Sequence, residues 1–548
     1  MAKPDNKRII ILILIIALLL RMSIAWQPVS TLVQKVLVDD SLYGYAVAKN
    51  IALGNGITYN GVDPTNGFQP LWIFMIAPVF WITKDLNMAI NFIYTILAFL
   101  DVLNVYLLYL LAKKIFSTKV GLVASFLWAI NPLIIFQVMD GLEVTLYITL
   151  VLASLLYYYN VKDKLNLKNM SVLGLLLGLT FLGRGDGIFL FIVIGVHAIF
   201  FGKRNTSYLR FISREMLVYS LCALLIVSPW LAWSYLTFGT VQESSQLGKY
   251  YLAHGYFRFS GPATGSEIPV TIEENAVRAV GSIVHQFGII DLSLSLSTAV
   301  LAIFGILALF SFVKNWKRML LPIIFSLVII SFYVFYLWGV QLRYITPIMP
   351  FVIIFTALGI SSIPFGRKVI ALALILICGV YLFNGIVQWD RGYGSWQIET
   401  IKDVQWMDAN IPSQDIVGSF SSGIPIYFSN HTIVQLDGIM NFGAIDAMLN
   451  KSMYSYMKSR NITIWFDGTL HCYDNCQPCY GNCVPPFYAN DSQTLSRWHN
   501  GGFDVVNENM WMPVFEKNSF EVIRNRCGIY HNIRGFDFMD CFFIMKVV

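Results

Sequence analysis

A chain of 548 residues that is 56% hydrophobic and only 13% charged lies far from the roughly 25% charged content of soluble domains, so it reads as an integral membrane protein. Its net charge of +6 does not point to nucleic acid, because the basic residues are scattered between apolar runs as topological signals and do not cluster on one face. Apolar runs recur up to residue 387 and then give way to mixed polarity, which divides the chain into a membrane body, 1–387, and a water-facing tail, 388–548.

Lys3, Lys7 and Arg8 precede the first apolar run, 9–26. A cleaved secretory signal ending at Ser23-Ile24-Ala25 is the alternative to an uncleaved span, and the span is preferred because the polar loop that follows needs an anchor. That loop, 39–72, begins with Asp39-Asp40. A charged side chain costs about 2.5–3.5 kcal/mol near the centre of a membrane helix, so acids this close to a span are read first as functional. The spacing predicts a helix over 42–53, capped by Asp39-Asp40-Ser41 and closed by Gly54. A cap uses one acceptor, and two adjacent carboxylates repel; they also diverge by about 100° on a helix, so the pair is expected to have two different jobs.

The apolar piece 71–83 is short and carries Pro78, with Pro70 just before it, and is expected to lie at the interface without crossing. The segments 87–112, 120–138, 143–160, 170–183, 187–202, 215–236, 288–312, 319–338, 345–363 and 369–387 complete a count of about eleven spans. The intervening loops alternate between basic and non-basic, with Lys113, Lys114 and Lys119, then Lys162, Lys164 and Lys168, and later Lys314, Lys317 and Arg318 on the side of the N-terminus. The positive-inside rule then puts the N-terminus in the cytoplasm and the tail outside a plasma or ER-type membrane. The outer side collects 39–72, Asp140 with Glu143, Arg184 with Asp186, the segment 237–287, Arg343-Tyr344 and the tail; within it, 241–249 is expected to be a mobile loop.

In the tail, 415–420, 432–436 and 462–466 read as buried strands separated by helical stretches such as 441–460, which predicts an α/β domain with a partly parallel sheet. Sequons at Asn430, Asn450, Asn461 and Asn490 agree with an outside location. Cys472, Cys476, Cys479, Cys483, Cys527 and Cys541 form an even set, read as three disulfides with a structural zinc site as the alternative.

The acid pair followed by Tyr43, Gly54-Asn55-Gly56, Pro64-Thr65-Asn66-Gly67 and Pro70-Leu71-Trp72 resembles the first outer loop of the GT-C superfamily of polytopic glycosyltransferases. Asp140-Gly141-Leu142-Glu143, the turn around Arg184-Gly185-Asp186, and Arg343-Tyr344 are similar to other outer-edge elements of that group. The nearest likenesses are the protein O-mannosyltransferases, the aminoarabinose transferases of lipid A and the mycobacterial arabinofuranosyltransferases. The Trp-Trp-Asp motif of the oligosaccharyltransferase branch is absent.

The resemblance implies a polyprenyl-phosphate sugar donor and transfer of a hexosyl or pentosyl unit, with inversion, to a hydroxyl on a protein, glycan or lipid. It implies Asp39 as general base, since that position matches the acid implicated in the O-mannosyltransferases, and Asp40 as the partner that positions hydroxyls. Arg184 and Arg343, and then Lys249 and Arg258, are the candidates for donor phosphate; for Arg184 an ion pair with Asp186 is the alternative. Tyr43, Asn66, Gln69, Trp72, Asp140, Glu143, Asp186 and Tyr344 are candidates for sugar or acceptor contacts, Trp72 having an interfacial-belt alternative. Metal dependence is left open: a Mg²⁺ or Ca²⁺ ion on Asp40, Asp140 and Glu143 is the one cation site considered, with no compact ligand string present. The rival functions are a flippase for lipid-linked sugars and a non-catalytic binder. Neither repeated halves nor midplane polar sites, which mark transporters, are visible.

Overall fold

The computed structural model describes residues 6–203, 207–253, 267–288, 296–336, 340–362, 366–392, 396–420, 422–450, 452–468, 472–473, 520–531 and 537–547. Among these, seven helical stretches are long and apolar enough to cross a bilayer, or eight if the bent pair Thr118–Ile130 and Pro132–Val138 is one span. The expected count of eleven is not reached on length. Leu167–Gly183 and Gly187–Phe201 have 17 and 15 residues, fewer than the ~20 of a straight crossing. Leu296–Asn315 and Leu320–Phe335 run on through the 3-10 turn Trp316–Met319, so Leu301–Phe335 forms one stretch. The piece expected at the interface is two short helices, Pro70–Ile76 and Val79–Ile82, broken at Ala77-Pro78.

Close helix packing follows from small residues. A Cβ on Gly174 would lie 2.2 Å from the Tyr219 carbonyl and one on Gly178 2.8 Å from that of Ala223, so these glycines let Leu167–Gly183 lie directly against Leu217–Phe238.

The bent pair is braced by a buried charge network. Pro132 has no N–H, which frees the Trp128 carbonyl, and the N–H of Leu133 turns to the Asn131 side chain, which frees the carbonyl of Ala129. Arg21, fully buried, donates to both carbonyls and pairs with Asp101 at 2.7 Å. Asp101 also accepts from Trp128 Nε1 at 3.0 Å and from Asn104 at 3.3 Å. Arg21→Met is therefore expected to destabilise the protein by about 3–5 kcal/mol, because it strands a buried carboxylate and two carbonyls. A thermal scan in detergent checks this, and Arg21→Met combined with Asp101→Leu should recover part of the loss.

Among the described residues the tail holds six strands, β1 Ile416–Ser419, β2 Ile433–Gln435, β3 Ile462–Gly468, β4 Cys472–Tyr473, β5 Phe520–His531 and β6 Asp537–Val547. They form one sheet in the order β2-β1-β3-β6-β4, with β5 also paired to β6. The β1–β2 and β1–β3 pairs are parallel and the others antiparallel, matching the expected partly parallel sheet. The stretch 441–460 is two helices, Phe442–Leu449 and Met453–Ser459. In the antiparallel hairpin of β5 and β6, Cys527 stands opposite Cys541, and Cys472 opposite Met539; Cys476, Cys479 and Cys483 lie outside the described residues, as does Asn490.

The tail and the body share one core. Ile424, Ile426 and Tyr427 of the tail helix Gly423–Phe428 are buried against the helix Asp39–Ala52 that carries the acid pair. Tyr427 stacks edge-on to Tyr45 at 6.1 Å, and Lys49 donates to the Tyr427 carbonyl at 3.2 Å.

Candidate active site

At the tail end of the bundle a cavity of about 440 Å³ is lined by residues from widely separated stretches, among them Asp40 and Tyr43, Gln69 and Trp72, Arg184 and Asp186, Glu243 and Lys249, and Arg343 with Tyr344. It continues into an apolar groove of about 580 Å³ between Gly187–Phe201 and Leu320–Phe335, with Phe189, Phe332 and Tyr336 forming walls of both. The groove's other residues include Ile324, Leu327 and Phe335, which belong to the outward-facing apolar surface of a candidate span. A chamber with charged groups in its wall thus adjoins a shallow apolar groove on the outer surface of a candidate span.

The helix bearing the acids starts at Asp39, with Val38 at its N-cap, and neither carboxylate caps it as expected. The reason is that Asp39 Oδ1 is taken by the N–H of Ile424 in the tail, at 2.7 Å. Gly423 packs so closely that a Cβ there would sit 2.4 Å from the Asp39 carbonyl and 2.6 Å from Oδ1. Burial and then the charge of Asp40 push the Asp39 carboxyl up to about 7, against the pull of the Ile424 and Gly423 N–H groups. Asp39 is absent from the cavity wall and lies at the seam between body and tail.

Asp40 is different. Its side chain is 45% exposed, opens onto the cavity and pairs with Arg343 at 2.7 Å. Desolvation opposes its ionisation, but Arg343 and then Lys249 outweigh it and hold the carboxyl below the usual carboxylate range. The two acids therefore have different surroundings, as their angular separation predicts.

Arg184 lines the cavity but is committed to the scaffold. It lies 3.3 Å from Asp186 and 3.9 Å from Glu143, donates to Tyr333 Oη at 3.1 Å and to the Arg343 carbonyl at 3.2 Å, and sits over the Tyr344 ring at 5.2 Å. Tyr333 and Tyr344 stack with centroids 4.4 Å apart, and Tyr333 donates to Asp186 at 2.7 Å. The ion-pair alternative is thus the arrangement found. Lys249 makes no ion pair among the described residues, and Arg258 lies outside them.

Other expected contacts divide. Tyr43, Gln69, Trp72, Glu143, Asp186 and Tyr344 reach the cavity; Trp72 is 3% exposed and so belongs to its wall, not to an aromatic belt. Asn66 does not reach it. Its amide bonds Ser234 Oγ at 2.6 Å and the Gln242 carbonyl at 3.0 Å and receives the Ser244 N–H at 2.9 Å, which pins 241–249, the expected mobile loop, at the start of the helix Ser244–Ala253. Asp140 turns inward to accept from the Leu142 N–H at 2.9 Å, and burial pushes its carboxyl up to about 7. Asp40, Asp140 and Glu143 consequently do not converge on one point, and among the described residues no three acidic, histidine or cysteine side chains are grouped to hold a metal.

Glu243 was missed by sequence reasoning. It lines the cavity, accepts from Gln69 Nε2 and Gln246 Nε2 at 3.2 Å each, and is pushed up to about 8 by burial and then by Glu143. Its only sequence signal is a lone acid just beyond the end of a span at Gly239.

The family model for dolichyl-phosphate-mannose-protein mannosyltransferases matches residues 67–233, which begins beyond the acid pair. No curated protein matches the chain in sequence. The structure of ArnT from Cupriavidus metallidurans bound to undecaprenyl phosphate superimposes with a TM-score of 0.57 at 11% identity, covering 83% of this chain and 92% of that one. The chain has the GT-C fold. It resembles the O-mannosyltransferases and aminoarabinose transferases to which its motifs are similar. The apo form of the same ArnT matches this chain at 9% identity with a TM-score of 0.56, over 83% of this chain and 92% of that one. The archaeal oligosaccharyltransferase AglB from Archaeoglobus fulgidus, in complex with an inhibitory peptide and a dolichol-phosphate, matches at 14% identity with a TM-score of 0.51, over 84% of this chain and 69% of that one.

Proposed function

We propose that this protein is a membrane glycosyltransferase that moves a monosaccharide from a polyprenyl-phosphate carrier to an acceptor hydroxyl, with inversion, on the face of the membrane where the tail lies. The observation that carries the reading is the adjacency of a cavity with cations in its wall and an apolar groove on the outer surface of a candidate span, since a phosphate on a long prenyl chain needs both at once. The similar ArnT and AglB structures, in complex with undecaprenyl phosphate and a dolichol-phosphate, support a carrier of this class. The basic loops at the far end of the bundle from the tail support an extracytoplasmic tail.

In this reading Arg343 and Lys249 hold the donor phosphate, and Arg184 keeps Arg343 and the tyrosine pair in place. The acceptor oxygen bonds to the anomeric carbon as the bond from that carbon to the phosphate oxygen breaks. The electron pair leaves on polyprenyl phosphate, and the acceptor proton passes to a carboxylate. Asp39 is the better base of the two, because its affinity for a proton is the higher and because it directly precedes Asp40, which lines the cavity. Asp40 keeps Arg343 aimed.

Purified protein supplied with short-chain polyprenyl-phosphate sugars is expected to release free polyprenyl phosphate as acceptor is glycosylated; movement of intact donor across a vesicle membrane without cleavage would instead establish a flippase. Gly423→Ala is expected to displace the tail segment from Asp39 and lower turnover by about tenfold, equivalent to ~1.4 kcal/mol, with the donor KM unchanged. An equal rise in donor KM would show that Gly423 acts on the cavity as a whole.

A further inference from the structure

Glu243 is the carboxylate in the cavity that phosphate chemistry leaves without a task. Among the described residues Asp40 pairs with Arg343, and Asp186 and Glu143 face Arg184, whereas Glu243 touches two neutral amides. Both amides donate to the same oxygen, Oε2, which leaves Oε1 for another partner. Among the described residues Gln69 Oε1 is buried without a hydrogen-bond partner.

The group is built into the fold. Asn66 anchors the segment that carries Glu243, Gln69 follows three residues after Asn66, and Gln246 Nε2 lies 3.4 Å from where a Cβ on Gly185 would be, beside the Arg184 and Asp186 wall. Trp72 and Trp230 line the same cavity, and Trp230 lies 5.3 Å from Phe68, so an apolar aromatic surface adjoins the amide and acid groups. Paired amide and carboxyl groups beside aromatic rings suit the hydroxyls and the C–H face of a pyranose or furanose ring.

We propose that Glu243, with Gln69 and Gln246, forms the subsite that reads adjacent hydroxyls of a neutral sugar on the donor, a reading that rests on the carrier function proposed above. Burial favours the protonated acid, whose Oε1, used by neither amide, can donate to one hydroxyl while the exposed Gln246 amide binds the next.

The test compares binding of a short-chain polyprenyl phosphate with binding of the same lipid carrying a neutral hexose. Wild type is expected to bind the sugar-bearing lipid about tenfold more tightly, the scale of one or two net hydrogen bonds. Glu243→Ala is expected to abolish that increment and leave the bare lipid's affinity unchanged, Glu243→Gln to retain most of it, and Gln246→Ala, at an exposed side chain, to lose about threefold. An increment that survives in Glu243→Ala and Gln246→Ala overturns the subsite. So does an equal fall in affinity for the bare lipid, or an increment seen only with an amino sugar and lost in Glu243→Gln. Wild type that binds bare lipid with no increment removes the subsite alone, whereas wild type that binds neither lipid removes the carrier reading and the subsite with it.

Discussion

Asp39→Asn is expected to bind the lipid donor as wild type does and to lose turnover by about 10²–10⁴-fold, the range over which a general base contributes. The amide keeps an oxygen that accepts from Ile424 but cannot take up the acceptor's proton. Because burial and the charge of Asp40 push the Asp39 carboxyl up to about 7, wild-type kcat should rise as pH passes upward through that value and flatten once the group is ionised. Below it, the rate should fall about tenfold per pH unit. Asp40→Asn makes the opposite kind of change. It removes a negative charge that raises Asp39, so the acid limb should move to lower pH, while the donor KM rises because Arg343 loses the carboxylate that aims it. Single-turnover assays of both variants across pH separate the two roles; loss of turnover in Asp40→Asn with retention in Asp39→Asn would exchange them.

Arg343→Ala is expected to raise the donor KM by about 10- to 100-fold, which corresponds to the ~1.5–3 kcal/mol of a hydrogen bond to a charged group. Arg343→Lys should recover only part of this, since an ammonium supplies charge but not the planar fork that matches a phosphate. Affinity for free polyprenyl phosphate is the cleaner readout, because it contains no sugar or acceptor contribution. An unchanged affinity in Arg343→Ala would place the phosphate elsewhere, with Lys249 the next candidate.

Much of the architecture was legible because it is written in contiguous residues. The break at Ala77-Pro78, the alternation of basic loops, and strands such as Ile433–Gln435 follow from proline chemistry, charge and local apolar runs. That the adjacent acids meet different surroundings was legible from helix geometry. The identity of those surroundings was not, since Asp39 meets Ile424 across 385 residues of sequence and Asp40 meets Arg343 across 303. Asn66 misled for a related reason. It stands in a motif rich in sugar-binding residue types, but a loop that must be held in place uses the same amide groups.

By itself the sequence established a membrane-embedded helical body with a partly parallel α/β tail, and it singled out an acid pair in a polar loop, because composition and short-range periodicity are properties of neighbouring residues. Only the tertiary structure decided that Arg184 braces the site, that Arg21 fills the carbonyls freed at Pro132, and that Glu243 faces into the cavity. These outcomes depend on which polar groups meet when distant helices pack, since a buried donor or acceptor is stabilised by whatever partner the fold brings within about 3 Å.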